Sequence, residues 1–170
     1  MAGSEQLKLA AIDEEDLAVI SAHVQDAVLK VGDMVYLPGE NRFAIAMNRF
    51  NWERSGDRRR EFERRRSALV FDRVRAVRTS HIDRDRPEAV LELLALRFST
   101  TDAPDGLVEL TFAGGGGVQL DVECIETRLT DLGAAWSTDH KPEHRLADDD
   151  AVDDTVDDSV DDTADDSGGR

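Results

Sequence analysis

The arginines between positions 58 and 66 are the side chains in this chain best suited to acting on an anion. Arg58, Arg59, Arg60, Arg64, Arg65 and Arg66 fall within the stretch ERSGDRRREFERRR. A guanidinium presents a planar fork of donors that matches phosphate or carboxylate. Between Arg42 and Arg97 there are 15 Arg against 9 acidic residues, a local excess of positive charge inside an acidic chain. A basic loop of this kind suits RNA, an anionic metabolite or an acidic partner. Against nucleic acid stand the interleaved Glu53, Asp57, Glu61 and Glu63, and a negative body repels a polyanion at range. The plainer reading is a solvated, mobile loop of mixed charge, with anion or RNA binding as the alternative. Binding to phosphates would weaken steeply with salt.

Other residue types offer less. Gly114 to Gly117 could cradle an anion with bare backbone donors. No Lys-Ser or Lys-Thr follows, so it is not a Walker loop, and a hairpin turn whose φ values suit glycine is favoured. His23, His81, His140 and His144 are scattered, and Pro142 separates the last two, so no metal site is expected. Cys124 is the only cysteine; no base accompanies it, and a packed or half-exposed thiol is expected. No G-x-S-x-G is present. The sequence therefore names no catalytic residue, no cofactor and no metal. An enzyme acting on an anionic substrate would need a pocket with perturbed titratable groups beside the arginines.

The chain has 170 residues and a formal net charge of −16. Positions 147–170 carry 11 Asp and one Arg, which leaves a net of −6 for the first 146. The last part repeats every four residues as AVDD, TVDD, SVDD, TADD. Dense like charge opposes collapse, so 147–170 is expected to be a disordered acidic tail. Without a glycine turn or a bidentate Glu, it is not a calcium loop. Fold-back of the tail onto the Arg loop is one hypothesis; a solubilising tail is the plainer one. Residues 1–146 are long enough for one domain with its own core. No run approaches the roughly 18 apolar residues of a membrane span. MAGSEQLKLA lacks the pattern of a signal peptide. With one cysteine, a reduced cytoplasmic setting fits best.

The elements that must position these groups follow from periodicity. Leu7 to Ala11 reads as an edge strand. Asp13 suits a helix N-cap, and Glu14, Glu15 and Asp16 suit the first turn of a helix running to about His23. Leu17, Ile20 and Val24 form its apolar stripe. From Val24 to Trp52 the period falls to two: strands at Ala27–Val31, Met34–Leu37 and Phe43 to Phe50 or Trp52, on the turns Gly32-Asp33 and Pro38-Gly39-Glu40-Asn41. Ser67–Thr79 is a further strand with a bulge near Asp72-Arg73. Ala89–Ser99 has a helix-forming composition but no solvated helical face. It is therefore assigned as a buried strand pairing with Leu107–Phe112. After the glycine turn and a short strand, Val122, Ile125, Leu129 and Leu132 recur at helical spacing and predict a closing helix that covers the sheet. Trp52 and Trp136 are expected to cap the core. The fold class is α+β: an antiparallel sheet or partly closed barrel of about seven strands, an N-terminal helix and a C-terminal capping helix.

The pieces YLPGENRFAIAMNRFNWE, ALVFDRV, LLALRF and GGGGVQLDVECIETRLTDLG together resemble a small bacterial family, domain of unknown function 2948. The resemblance covers about Leu7 to Trp136 and implies no activity or catalytic residue. By element order, strands closed by a C-terminal helix also resemble a pleckstrin-homology-type barrel. Such barrels are usually binding modules, though fold does not imply function. The reading is a small cytoplasmic, non-catalytic binding or adaptor module. Its expected partner is a protein; nucleic acid is not favoured, and no membrane span is expected.

Overall fold

The computed structural model describes residues 6–50, 63–133 and 136–137. The chain starts with a strand, β1 (Lys8–Ala11), and then the one helix of the described residues, α1 (Glu14–Val24). Asp13 caps that helix in extended conformation, its carboxylate accepting from the Asp16 amide at 2.8 Å. Leu17, Ile20 and Val24 are its buried stripe. This stripe covers one face of the sheet, and the Ser21 hydroxyl accepts from the Leu96 amide at 3.0 Å.

Strands β2 (Ala27–Lys30), β3 (Met34–Leu37) and β4 (Arg42–Phe50) follow on two 3-10 turns, as the two-residue period predicts. Asn41 takes the left-handed conformation that the second turn requires, with φ 50°; Asn tolerates it better than most residues. Phe43, Ile45, Met47 and Arg49 all face inward along β4. Next come β5 (Glu63–Phe71) and β6 (Val74–Ser80). The expected bulge at Asp72-Arg73 is a full corner between these two strands, with Arg73 at φ 62°.

Positions 90–99 are extended, as expected, within β7 (Val90–Thr100), but the strand is not the buried one expected: within it only Leu93 and Leu96 are buried, and Val90 and Leu94 are exposed. It pairs with β8 (Gly106–Phe112) from Thr100↔Gly106 to Leu93↔Phe112. A register shift between Leu93 and Ala95 exchanges its faces midway, which is why the sequence shows no clean alternation. A Cβ on Gly106 would lie 2.4 Å from the Phe98 ring, so only glycine fits there. The glycine run is a hairpin turn, with Gly114 and Gly115 at φ 87° and 95°.

The closing helix is not formed. Val122 ends β9 (Gly117–Val122), Ile125 lies in the connection, and Leu129 sits within β10 (Thr127–Asp131). Leu132 is 55 % exposed. In β10 the inward positions are Thr127, Leu129 and Asp131. Two polar residues on the buried parity hide the strand period, and chance spacing of the apolar ones imitates a helix. The pleckstrin-homology analogy rested on that helix. The element covering the sheet is α1, at the other end of the chain.

All pairings are antiparallel, in the order β1-β10-β5-β4-β2-β7-β8-β9-β6. β3 branches from β4, and β11 (Trp136–Ser137) pairs with β5. The described strands thus number eleven rather than about seven. The end strands β1 and β6 do not pair with each other. At the corner the β6–β9 ladder continues into β5–β10. There the Asp72 amide donates to the Glu126 carbonyl at 2.9 Å and the Glu123 amide to the Arg73 carbonyl at 3.0 Å. The core runs through both halves, with Phe43 against Phe71 at a ring separation of 6.4 Å.

Candidate functional site

Among the described residues, charge enters the interior at one place. Arg49 and Arg65 face each other across β4 and β5, and Asp131 lies on the other side of β5, opposite Ser67. Asp131 Oδ1 accepts from Arg49 Nε at 2.9 Å and from Ser67 Oγ at 2.6 Å. Its Oδ2 accepts from a second Arg49 nitrogen at 2.8 Å and from the Leu7 amide at 2.9 Å. Arg65 stands 3.5 Å from the same oxygen. Burial alone would raise the Asp131 pKa. The hydrogen bonds from Arg49, Ser67 and the Leu7 amide outweigh it and hold the carboxyl below the ordinary carboxylate range. The Arg49 and Asp131 side chains are fully buried, so no substrate reaches them. Their chemistry is cohesion: they tie β1, β4, β5 and β10 together.

This arrangement accounts for much of the arginine stretch. Arg64 stacks on the Phe50 ring, 4.2 Å from its centroid. Arg65 belongs to the buried cluster. Arg66 donates to Asn48 Oδ1 at 3.2 Å and lies 3.8 Å from Asp33. These three are strand residues of β5 rather than loop residues. Arg58, Arg59 and Arg60 lie outside the described residues, as do Trp52, His140, His144 and the acidic repeat. Cys124 is half-buried in the β9–β10 connection rather than on a helix. No group of three or more His, Cys, Asp or Glu among the described residues could hold a metal. No described helix is long and apolar enough to cross a membrane.

One opening with room for a ligand lies elsewhere, between two strand edges. Among the described residues, β3 pairs only with β4 and β6 only with β9. The two free edges look at each other across a cleft of about 350 Å³. Met34 and Tyr36 form one wall and Val77 and Thr79 the other; Phe43 and Val118 lie beneath. Arg84 and Pro87 close one rim. At that end the Gly32 amide donates to the Pro87 carbonyl at 2.8 Å. At the other end the Tyr36 hydroxyl reaches the carbonyls of Arg75 at 3.0 Å and Val74 at 3.3 Å. The Val74 amide donates to the Asn41 carbonyl at 2.8 Å. The cleft is thus pinned at both ends and lined mainly by apolar side chains. It holds no nucleophile paired with a base.

Sequence reasoning missed both places. The buried cluster did leave a signal: Arg49 continues the parity of Phe43, Ile45 and Met47, and Arg65 that of Leu69 and Phe71. A charged residue on the apolar parity of neighbouring strands demands a partner. The cleft left none, because edge status depends on strand order. No curated protein and no solved structure matches the chain. The profile of the family described as "Protein of unknown function (DUF2948)" matches residues 7–144, and the chain belongs to that family.

Proposed function

We propose that this protein is a non-catalytic binding module of the cytoplasm that takes an extended segment of a partner protein into the β3–β6 cleft. The observation that carries the reading is the pairing state of the two strands. An open edge presents a row of backbone donors and acceptors that templates another strand. Recognition by strand addition draws affinity from those main-chain groups and specificity from pockets for alternate side chains. Here the edge and an apolar pocket coincide. The occupant so defined is an extended peptide with small apolar side chains at every second or fourth position. Arg78 on β6 is exposed and Arg84 lies on the rim, which favours acidic residues between the apolar ones. The single cysteine rules out a disulfide within the chain and fits the reduced cytoplasm.

The test is selection from a displayed library of random peptides against the immobilised protein. Selected peptides should be extended and apolar-acidic. They should lose binding to Val77→Glu, which spoils the pocket, and to Thr79→Trp, which fills it from an exposed position. A thermal melt confirms that each variant is folded. Peptides that bind both variants as well as the parent would disprove the reading.

A further inference from the structure

We infer that the chain carries its own ligand for the β3–β6 cleft: the repeat at residues 151–166 occupies it in cis and competes with partner segments. The inference rests on the reading of the cleft as a strand-binding site. It adds the identity of one occupant and a mode of regulation.

Three observations support it. The first is pattern. In an extended chain successive side chains alternate between faces. Laid out as a strand, the repeat AVDDTVDDSVDDTADD puts Val152, Asp154, Val156, Asp158 and Val160 on one face, and Thr, Ser and further Asp residues on the other. Apolar and acidic side chains then succeed each other about every 6.6 Å. A four-residue repeat keeps every valine on that face in either register, whereas a three-residue repeat would not. Valine suits the apolar cleft between Met34 and Val77.

The second is charge. β6 has the sequence VRAVRTS and no acidic residue. Among the described residues, Arg78 and Arg84 have no carboxylate partner. Arg75, by contrast, holds Asp105 and Asp121, and Asp83 beside the rim is already 3.4 Å from Arg86. One uncommitted guanidinium, Arg84, thus stands on the cleft rim, and a second, Arg78, is exposed on β6 between the cleft residues Val77 and Thr79, in a chain whose last 24 residues carry 11 Asp and one Arg.

The third is reach. Ser137 pairs with Glu63 at the start of β5. From Ser137 to Val156 is 19 residues, a span of up to about 65 Å when extended. From Glu63 to Val77 along β5 and β6 is 14 residues with a corner between, at most about 46 Å along the strands. The first repeat is near the limit of reach, and the second and third arrive with slack for a turn. Over such a linker the local concentration of the tail is of millimolar order, so a weak contact suffices to hold it.

Every described strand and the whole described core lie before residue 138, so removal of 148–170 leaves those contacts in place. The experiment titrates a labelled peptide of residues 151–166 with the full chain and with the chain ending at residue 147. The shortened chain should bind the peptide, and the full chain should bind it at least about tenfold more weakly because the tethered copy competes. Arg78→Glu with Arg84→Glu should weaken binding to the shortened chain about tenfold. A peptide with serine at 152, 156 and 160 keeps the charge and should bind as poorly. In the full chain, β6 amides should exchange more slowly than in the shortened one.

If the serine peptide binds as well as the parent, charge alone is being read and the inference falls. Equal binding by full and shortened chains also overturns it. If library-selected peptides occupy the cleft and the tail peptide does not, the inference falls while the cleft reading stands. If neither occupies it, both fall.

Discussion

Two sets of arginines sit on neighbouring parts of one sheet and do opposite things. On β4 and β5, Arg49 and Arg65 are buried against Asp131, Arg64 lies on an aromatic ring, and Arg66 holds Asn48. At the β6 edge, Arg78 is exposed and Arg84 stands on the rim of a cleft. In sequence the first set is dense and looks like a binding loop, while the second is sparse and looks incidental. Where the structure describes the first set, each guanidinium is already engaged; Arg58, Arg59 and Arg60 lie outside the described residues. Density along the chain measures nothing about availability; what decides is whether the guanidinium has already met its carboxylate. A buried ion pair contributes specificity of packing at a high desolvation cost, whereas an exposed arginine costs little to keep and is free to meet a partner.

Removal of the carboxylate that the buried arginines share should have the largest effect. Asp131→Ala leaves the buried arginines without the anion they surround. Loss of one partner of a buried pair costs about 3–5 kcal/mol, measured as a fall in the denaturant midpoint. A loss under about 1 kcal/mol would mean that the pair behaves like a surface salt bridge. That result would make the buried arginines energetically like the exposed ones.

Acid should reveal the same group. The Asp131 carboxyl is held below the ordinary range in the folded protein, so the unfolded chain takes up its proton first as pH falls. Its stabilisation is therefore full above the unfolded carboxylate pKa of about 3.9 and lost as pH drops through the lower folded value. In unfolding titrations, the gap between the parent and Asp131→Asn should be widest near neutrality and should narrow below about pH 4. A gap independent of pH would show that the aspartate contributes shape and not charge.

Next in size is Ser67→Ala. Its hydroxyl donates to Asp131 at 2.6 Å in a fully buried site. A hydrogen bond to a charged group contributes about 1.5–3 kcal/mol. The alanine variant should lose that amount in the parent background and very little in the Asp131→Ala background. Such a double-mutant cycle isolates the coupling.

Much of the fold was legible, and what was not has a physical cause. Asp13, with the acidic turn after it, marks α1 by local electrostatics. The stretch from Ala27 to Phe50 marks three strands because its inward parity is apolar almost throughout. β10 was illegible because Thr127 and Asp131 occupy inward positions, so hydropathy sees no alternation. Its period becomes visible only when Asp131 is recognised as the partner of Arg49. That recognition needs the strand order, which places residues 82 positions apart side by side. The cleft is a stronger case of the same limit. Met34, Val77 and Val118 are ordinary strand residues, and nothing local says that two of their strands lack a neighbour.

The exposed arginines should matter least to stability. Arg78→Glu together with Arg84→Glu reverses charge at two exposed positions without touching the core. Substitutions of this kind usually leave stability nearly unchanged, so the melt should overlay the parent's. Binding should respond as strongly as stability does not. A variant that melts like the parent and no longer binds the acidic repeat separates the two arginine sets by function. A variant that unfolds early would place Arg78 and Arg84 among the structural arginines, and the open edge would then need a different explanation. The contrast with Asp131→Ala gives the pair its value: one substitution removes stability by exposing the cost of buried charge, and the other alters recognition while leaving that charge where it is.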